Sequence, residues 1–297
     1  MSWAQRTIAV VGGDEREQEI ARLAAGTGAA VRAYGIPLPA RPIEGVAFSA
    51  SLEEALDGAT HLLLPIPLPA LDGSIFAPAA PAPIHLDAAL LSSMSPPRVV
   101  VCGAADDFLR AAVDGSGARL HEYEHDQELM LLRTPAIVEG AIRAAIEATR
   151  FTLDASRAVV VGHGNIGARL AVTLASLGAR VTVVARNPLQ RAAAAAAHLD
   201  SAPLSELAQV AEGAAMIFST VPSRVVDRDV LARLAPESLV MDLAAPPGGI
   251  DLDAARELGH SAVWARGMGR RAPITVGRSQ WSGIRRIIEA DAEASHD

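Results

Sequence analysis

At 297 residues the chain has the length of about two domains, and half of its residues are hydrophobic, enough for sizeable cores. A net charge of −8 without a basic cluster argues against a nucleic-acid footprint, and no apolar run has the length of a membrane span. All 26 basic residues are arginine, so Schiff-base and pyridoxal-phosphate chemistry and any lysine general base are excluded.

Met1-Ser2-Trp3-Ala4-Gln5-Arg6 leads straight into an apolar strand, Thr7-Ile8-Ala9-Val10-Val11, without the layout of a signal peptide; a soluble cytoplasmic protein is expected. Gly12-Gly13 reads as a turn and Asp14 as the N-cap of a helix over 15–25. Short apolar strands at 61–64 and 98–101 alternate with helical segments at 52–56 and 106–113, which implies a parallel sheet with crossover helices. The single cysteine, Cys102, reads as a small buried filler; it excludes an internal disulfide and a cysteine-rich metal site, and no metal is expected. From 65 to 83 runs a loop dense in Pro and Ala at a strand's C-terminal end, where open α/β sheets place ligands; a lid and a passive surface loop both fit it. Ile137, Val138, Ala141, Ile142, Ala145 and Ile146 recur at helical spacing and predict a linking helix over 135–150. The expected layout is an N-terminal α/β domain over 1–150, for substrate and partner, and a second domain over 151–297. A last helix over 279–292 is placed to pack back on the first domain. The fold class is α/β, with two Rossmann-like doubly wound domains, the second binding the dinucleotide.

The dinucleotide assignment rests on Val159-Val160-Val161-Gly162-His163-Gly164-Asn165-Ile166-Gly167, an apolar strand running into GxGxxG. A helix-compatible stretch over 168–178 and a second strand over 180–186 follow, the context that gives the motif its meaning. Its glycines let backbone approach a pyrophosphate, whose charge is met by free N–H groups at the helix N-terminus. The second strand ends in Ala185-Arg186-Asn187-Pro188, with no acid to accept from a ribose 2′-hydroxyl. Arg186 favours NADP by pairing with the 2′-phosphate, unless it is merely a solvated strand-end arginine. Downstream, Thr220-Val221-Pro222-Ser223 and Asp242 stand at later strand ends, which border the nicotinamide in Rossmann domains. Asp242 and Ser223 are the candidate catalytic residues, although Ser223 also suits a helix N-cap and Asp242 a purely backbone-bonded role.

These pieces resemble the A subunit of dipicolinate synthase along almost the whole chain. The matching segments are Val11-Gly12-Gly13-Asp14 with Glu19, Thr134-Pro135-Ala136-Ile137-Val138-Glu139-Gly140, the GxGxxG turn, and Thr220-Val221-Pro222-Ser223. Asp242-Leu243-Ala244 with Pro247-Gly248-Gly249, and Ala272-Pro273 with Thr275 and Gly277, complete the series. The resemblance implies NADP-dependent oxidation of a dihydrodipicolinate-type precursor, a branch of the lysine pathway, to dipicolinate in sporulation. It also implies a partner, the flavoprotein-like B subunit of dipicolinate synthase. A homo-oligomer is expected as well. Near the C-terminus the family carries a lysine where this chain has Ile274; the cation for a substrate carboxylate would then be Arg270 or Arg271, which differ from lysine in reach and geometry. The implied substrate-binding set is Gly13, Asp14, Thr134, Arg270, Arg271 and Thr275, in a cleft between the two halves, with Arg270 and Arg271 as solvated loop residues the alternative.

Two other functions compete. A 2-hydroxyacid dehydrogenase needs an active-site histidine paired with a carboxylate, and His260 is the one histidine after the GxGxxG turn that might serve. A non-catalytic NADP-binding regulatory subunit is the other.

Overall fold

Strands of four or five apolar residues, buried on both faces, are what a parallel sheet covered by helices requires, and the chain builds two such sheets. The computed structural model describes residues 2–67 and 69–294. Its elements in order are β1 (Thr7–Val11), α1 (Glu15–Ala25), β2 (Ala30–Tyr34), β3 (Val46–Phe48), α2 (Leu52–Leu56), β4 (His61–Leu63), α3 (Ala88–Ser92), β5 (Val99–Cys102), α4 (Asp107–Ser116) and β6 (Arg119–Glu122). The helix α5 (Gln127–Ala148) precedes β7 (Arg157–Val161), α6 (Asn165–Ser176), β8 (Arg180–Val184), α7 (Pro188–Ala196), β9 (Asp200–Ala202) and α8 (Leu207–Val210). The chain continues through β10 (Met216–Ser219), α9 (Arg228–Leu231), β11 (Leu239–Asp242), α10 (Leu252–Glu257), β12 (Ser261–Trp264) and α11 (Pro273–Ala294).

The first sheet has the order β3-β2-β1-β4-β5-β6 and the second β12-β11-β10-β7-β8-β9, with every pairing parallel. Counted from its own first strand, each sheet reads 3-2-1-4-5-6, the doubly wound Rossmann order. Each carries an apolar core on both faces: Ile8, Val10 and Val31 on one side of the first sheet, Ala9, Leu62 and Val100 on the other. Val160, Val183 and Phe218 face one side of the second, Val159, Ile217 and Val240 the other. Cys102 is buried in the first sheet, and burial pushes its thiol up to about 12, which suits an inert filler.

The chain divides at Arg133/Thr134 and again at Arg271/Ala272: a first unit up to Arg133 and from Ala272 onward, and a second unit of Thr134–Arg271. This differs from the expected 1–150 and 151–297 for two reasons. The linking helix starts at Gln127, not Pro135, and continues through the proline despite the N–H that it lacks. Its later half packs Val138, Ala141 and Ala145 into the second unit's core. The last helix, in turn, begins at Pro273 and lies against α1. Gly277 permits that crossing, since a Cβ there would come within 2.7 Å of the Arg16 carbonyl oxygen. Beside it the buried Glu19 carboxylate accepts from Arg22 of its own helix (2.7 and 2.8 Å) and from Arg278 of α11 (3.0 Å), and these arginines hold its pKa down.

Candidate dinucleotide-binding site

The second unit positions the GxGxxG turn where β7 ends. Gly162 sits at φ +96°, where a side chain is strained, and a Cβ would meet Thr220 Oγ1 at 2.5 Å. Thr220 is fixed over it by its own N–H and hydroxyl, which both donate to the Val161 carbonyl (2.9 and 3.1 Å). A Cβ on Gly167 would collide with the Gly162 carbonyl oxygen, so this third glycine brings helix and strand together. Gly164 is different: open space surrounds its would-be Cβ. It is also the N-cap of α6 without any side-chain cap, so the first-turn N–H groups of Asn165, Ile166 and Gly167 keep no capping partner. His163 is buried in the same turn with Nδ1 lacking a partner, and burial pushes its pKa down, toward the neutral ring. A bare 12-residue helix end behind open space, with an orphaned buried nitrogen alongside, fits the pyrophosphate of a dinucleotide.

A cleft of about 380 Å³ continues from this turn, lined by Gly162, Ala185, Arg186, Asn187, Val221, Pro222 and Ser223. Arg186 is exposed at the cleft, and Asn187 caps α7 by accepting from Leu189 N–H (2.9 Å). The sequence reading missed Arg191, whose Nη1 donates to the carbonyls of Ala185 (2.9 Å) and Arg186 (2.8 Å) and so holds the strand end in place. Gln190, Leu204 and Val225 also line the cleft. The signal for Arg191 was its position one turn into the helix that follows the strand.

Asp242 and Ser223 are not equivalent. Ser223 is exposed in the cleft wall and caps no helix, since Asp227 caps α9. Asp242 is 1% exposed, and its carboxylate accepts from the N–H groups of Ala244 (2.9 Å), Gly249 (2.7 Å) and Ile250 (3.0 Å). Expected as a catalytic group, it instead organises the Pro246-Pro247-Gly248-Gly249 turn: buried and bonded by backbone at both oxygens, it is withheld from a substrate.

The expected substrate residues are distributed over both units. Gly13 stands at φ +104° in the first unit, with a Cβ position already taken by the Glu17 carboxylate. Its N–H donates to the Phe76 carbonyl (2.6 Å), and the Asp14 N–H donates to Glu17 Oε2 (2.7 Å). The start of α1 is thus satisfied by its own capping box, and Gly13 and Asp14, expected to bind substrate, have their backbone N–H groups engaged within the protein. Phe76 belongs to the described part of the 65–83 segment, where Ile75 bridges to Ile84. Thr275 is exposed on α11. In the second unit, Thr134 is buried in α5, and Arg270 is exposed in the short 3-10 turn of Met268–Arg271. Arg271 forms an ion pair with Glu139 of α5, so its charge is already matched. Gly140, next to Glu139, lets that turn dock: a Cβ would lie 2.6 Å from the Met268 carbonyl oxygen. The Glu139-Gly140 pair of the linker motif therefore has a packing role. His260 Nε2 donates to the Leu231 carbonyl (3.1 Å), and the residue precedes the N-terminal end of β12. In a parallel sheet that is the edge opposite the GxGxxG turn, which removes the histidine that a 2-hydroxyacid dehydrogenase would need.

Among the described residues no helix is long and apolar enough to cross a membrane, and no group of three or more His, Cys, Asp or Glu is placed to hold a metal.

Residues 7–124 match the family model of the N-terminal domain of the dipicolinate synthase A subunit, and residues 151–249 match a family of NAD(P)-binding domains. The dipicolinate synthase A subunit of Bacillus subtilis (strain 168) is 27% identical over 272 residues, covering 91% of this chain and 92% of that protein. The crystal structure of the dipicolinate synthase A subunit from Bacillus halodurans superposes with a TM-score of 0.87 at 26% identity, covering 97% of this chain and 99% of the other. The transhydrogenase of Sinorhizobium meliloti shares the fold alone, with a TM-score of 0.73 at 15% identity over 97% of this chain and 95% of that one. With a two-sheet doubly wound fold, an NAD(P)-binding domain and similarity of both sequence and structure along nearly its whole length, the chain resembles the A subunits of dipicolinate synthase.

Proposed function

We propose that this chain is the NADP-dependent A subunit of a dipicolinate synthase. With the B subunit it oxidises a dihydrodipicolinate-type precursor to pyridine-2,6-dicarboxylate in the cytoplasm during sporulation. The observation that carries the reading is the uncapped start of α6 facing open space at Gly164, with Arg186 rather than an acid at the neighbouring strand end. The full-length dipicolinate synthase relatives supply the substrate class and imply the partner.

The precursor loses water, a hydride and a proton on its way to an aromatic ring; NADP held by these residues would supply the hydride acceptor, and the proton would pass to solvent. The chain's own residues hold, orient and shield. The first-turn N–H groups of α6 meet the pyrophosphate, and Arg186 meets the 2′-phosphate from a strand end clamped by Arg191. Asp242, through its three backbone N–H bonds, keeps the 244–250 turn in one shape at the end of the central strands. The first unit takes substrate and partner, and the second takes the cofactor.

Purified chain, with and without the B subunit, is supplied with NADP and with precursor freshly generated by dihydrodipicolinate synthase. Dipicolinate and NADPH are expected in equal amounts when both proteins are present. No dipicolinate with both proteins present refutes the substrate assignment, and equal rates with NAD refute the cofactor preference.

A further inference from the structure

Beyond the capping box of α1, a group of buried polar side chains in the first unit is left with unpaired atoms. Tyr123 follows β6 and is buried with its hydroxyl 3.4 Å from the Leu64 carbonyl oxygen, which it approaches as donor. Gln280 of α11, fully buried, donates its amide to that hydroxyl (3.2 Å), which fixes the amide's direction. Its Oε1 then has no partner, and neither has Oε1 of Glu17, a side chain 1% exposed in the first turn of α1. Glu17 and Arg16, in the first turn of α1 at the end of β1, both act electrostatically on the Tyr123 hydroxyl, which lies at the same end of the sheet.

Two guanidinium groups stand nearby, and they differ. Arg16 is spent on Asp14, with Nε and Nη2 donating to the two carboxylate oxygens at 2.7 and 2.9 Å. Arg133 has no hydrogen bond or ion pair among the described residues, and its buried Nε is orphaned. Burial disfavours its charge and Arg16 repels it; Glu124 and Tyr123 are felt in the opposite sense, yet neither pairs with it. A half-buried cation without an anion is costly, and so are buried acceptors without donors. Together they have the complementarity of an absent ligand: one carboxylate for Arg133, and an O–H or N–H for Glu17 and Gln280. The place agrees. The turn after β1, Leu64 after β4 and Tyr123 after β6 lie at the C-terminal ends of the first sheet, whose order reverses between β1 and β4, and there open α/β sheets bind ligands.

We propose that Arg133, Glu17 and Gln280 form a binding site for a small carboxylate that also carries a hydroxyl or N–H donor. Identifying that ligand as the precursor ring, with its carboxylates and the hydroxyl it loses as water, rests on the proposed function; the carboxylate site itself does not.

The test is calorimetric titration of the full chain, with and without NADP, using 4-hydroxypyridine-2,6-dicarboxylate and the same ring without its hydroxyl. Wild type is expected to bind both, and the hydroxylated ring more tightly. Arg133→Met should weaken both by roughly 10- to 100-fold, the scale of a charge-assisted pair. Without ligand it should melt no lower than wild type, because the cation it removes is unpaired. Gln280→Met should abolish the preference for the hydroxylated ring, while Arg270→Ala/Arg271→Ala should leave both affinities unchanged. Binding unaltered in Arg133→Met, a lower melting temperature of that variant, or no binding by wild type would each overturn the site. Arg133-dependent binding without dipicolinate synthesis would leave the site standing and defeat the proposed reaction. Synthesis with Arg133→Met affinities equal to wild type would do the reverse.

Discussion

Replacing Glu17 by Gln should make the protein's stability respond to pH in a defined direction. Burial is the largest influence on this carboxyl and raises its pKa from 4.5 to about 7, against the smaller pull of Arg16 and of the Asp14 N–H. A carboxyl whose folded-state pKa lies above its unfolded value stabilises the fold fully below the unfolded pKa. That contribution is lost as pH rises through the folded pKa. Over the window from 4.5 to about 7 the loss amounts to about 3 kcal/mol, at roughly 1.4 kcal/mol for each tenfold change in proton affinity. Glutamine keeps the acceptor for the Asp14 N–H but does not ionise. Glu17→Gln should therefore gain about 3 kcal/mol relative to wild type between pH 4.5 and 8, most of it between 5 and 7. Glu19, Glu122, Asp126 and Glu289, whose pKa values are held down by hydrogen bonds and arginines, impose the opposite trend but cancel in the difference. The assay is urea unfolding of both proteins across this range in a Trp264→Phe background, where Trp3 and Trp281, tilted against each other with ring centroids 5.7 Å apart in the first unit, report on it. A flat difference would mean that Glu17 ionises as in water. A difference of the opposite sign would mean that attraction to Arg16 outweighs burial.

Arg186→Ala should lower NADPH affinity by about 1.5–3 kcal/mol, the worth of a hydrogen bond to a charged group, and leave NADH unaffected; a fluorescence titration showing equal losses would make Arg186 structural only. Gly164→Val should stay folded yet lose the cofactor, because its side chain enters the open space over α6. Gly167→Ala should instead lose stability, because its Cβ meets the Gly162 carbonyl oxygen. Melting curves with and without NADPH separate the two, and a folded Gly164→Val that binds NADPH would displace the cofactor turn.

Local chemistry made much of this protein legible in its sequence. Asp14 caps α1 because its side chain accepts from a backbone N–H two residues on, and the 15–25 helix ends where expected. The β7 strand, its glycine turn and α6 follow from a run of valines and glycine spacing that need no distant partner. Even the return of α11 to the first unit was readable as a last amphipathic helix. What the sequence left undecided was every question whose answer lies far along the chain. Whether the Gly13 N–H was available depended on Phe76, and whether the Arg271 charge was available depended on Glu139. Asp242 looked catalytic until its carboxylate was found bonded to Gly249 and Ile250, seven and eight residues on. The polar group of Glu17, Tyr123, Arg133 and Gln280 draws on four separate segments, and only folding buries their atoms and leaves some of them unsatisfied. Caps, turns and periodicity are set by neighbours in sequence. Burial, charge pairing and the satisfaction of each polar atom are set by neighbours in space, and those are what decide which groups remain available to a ligand.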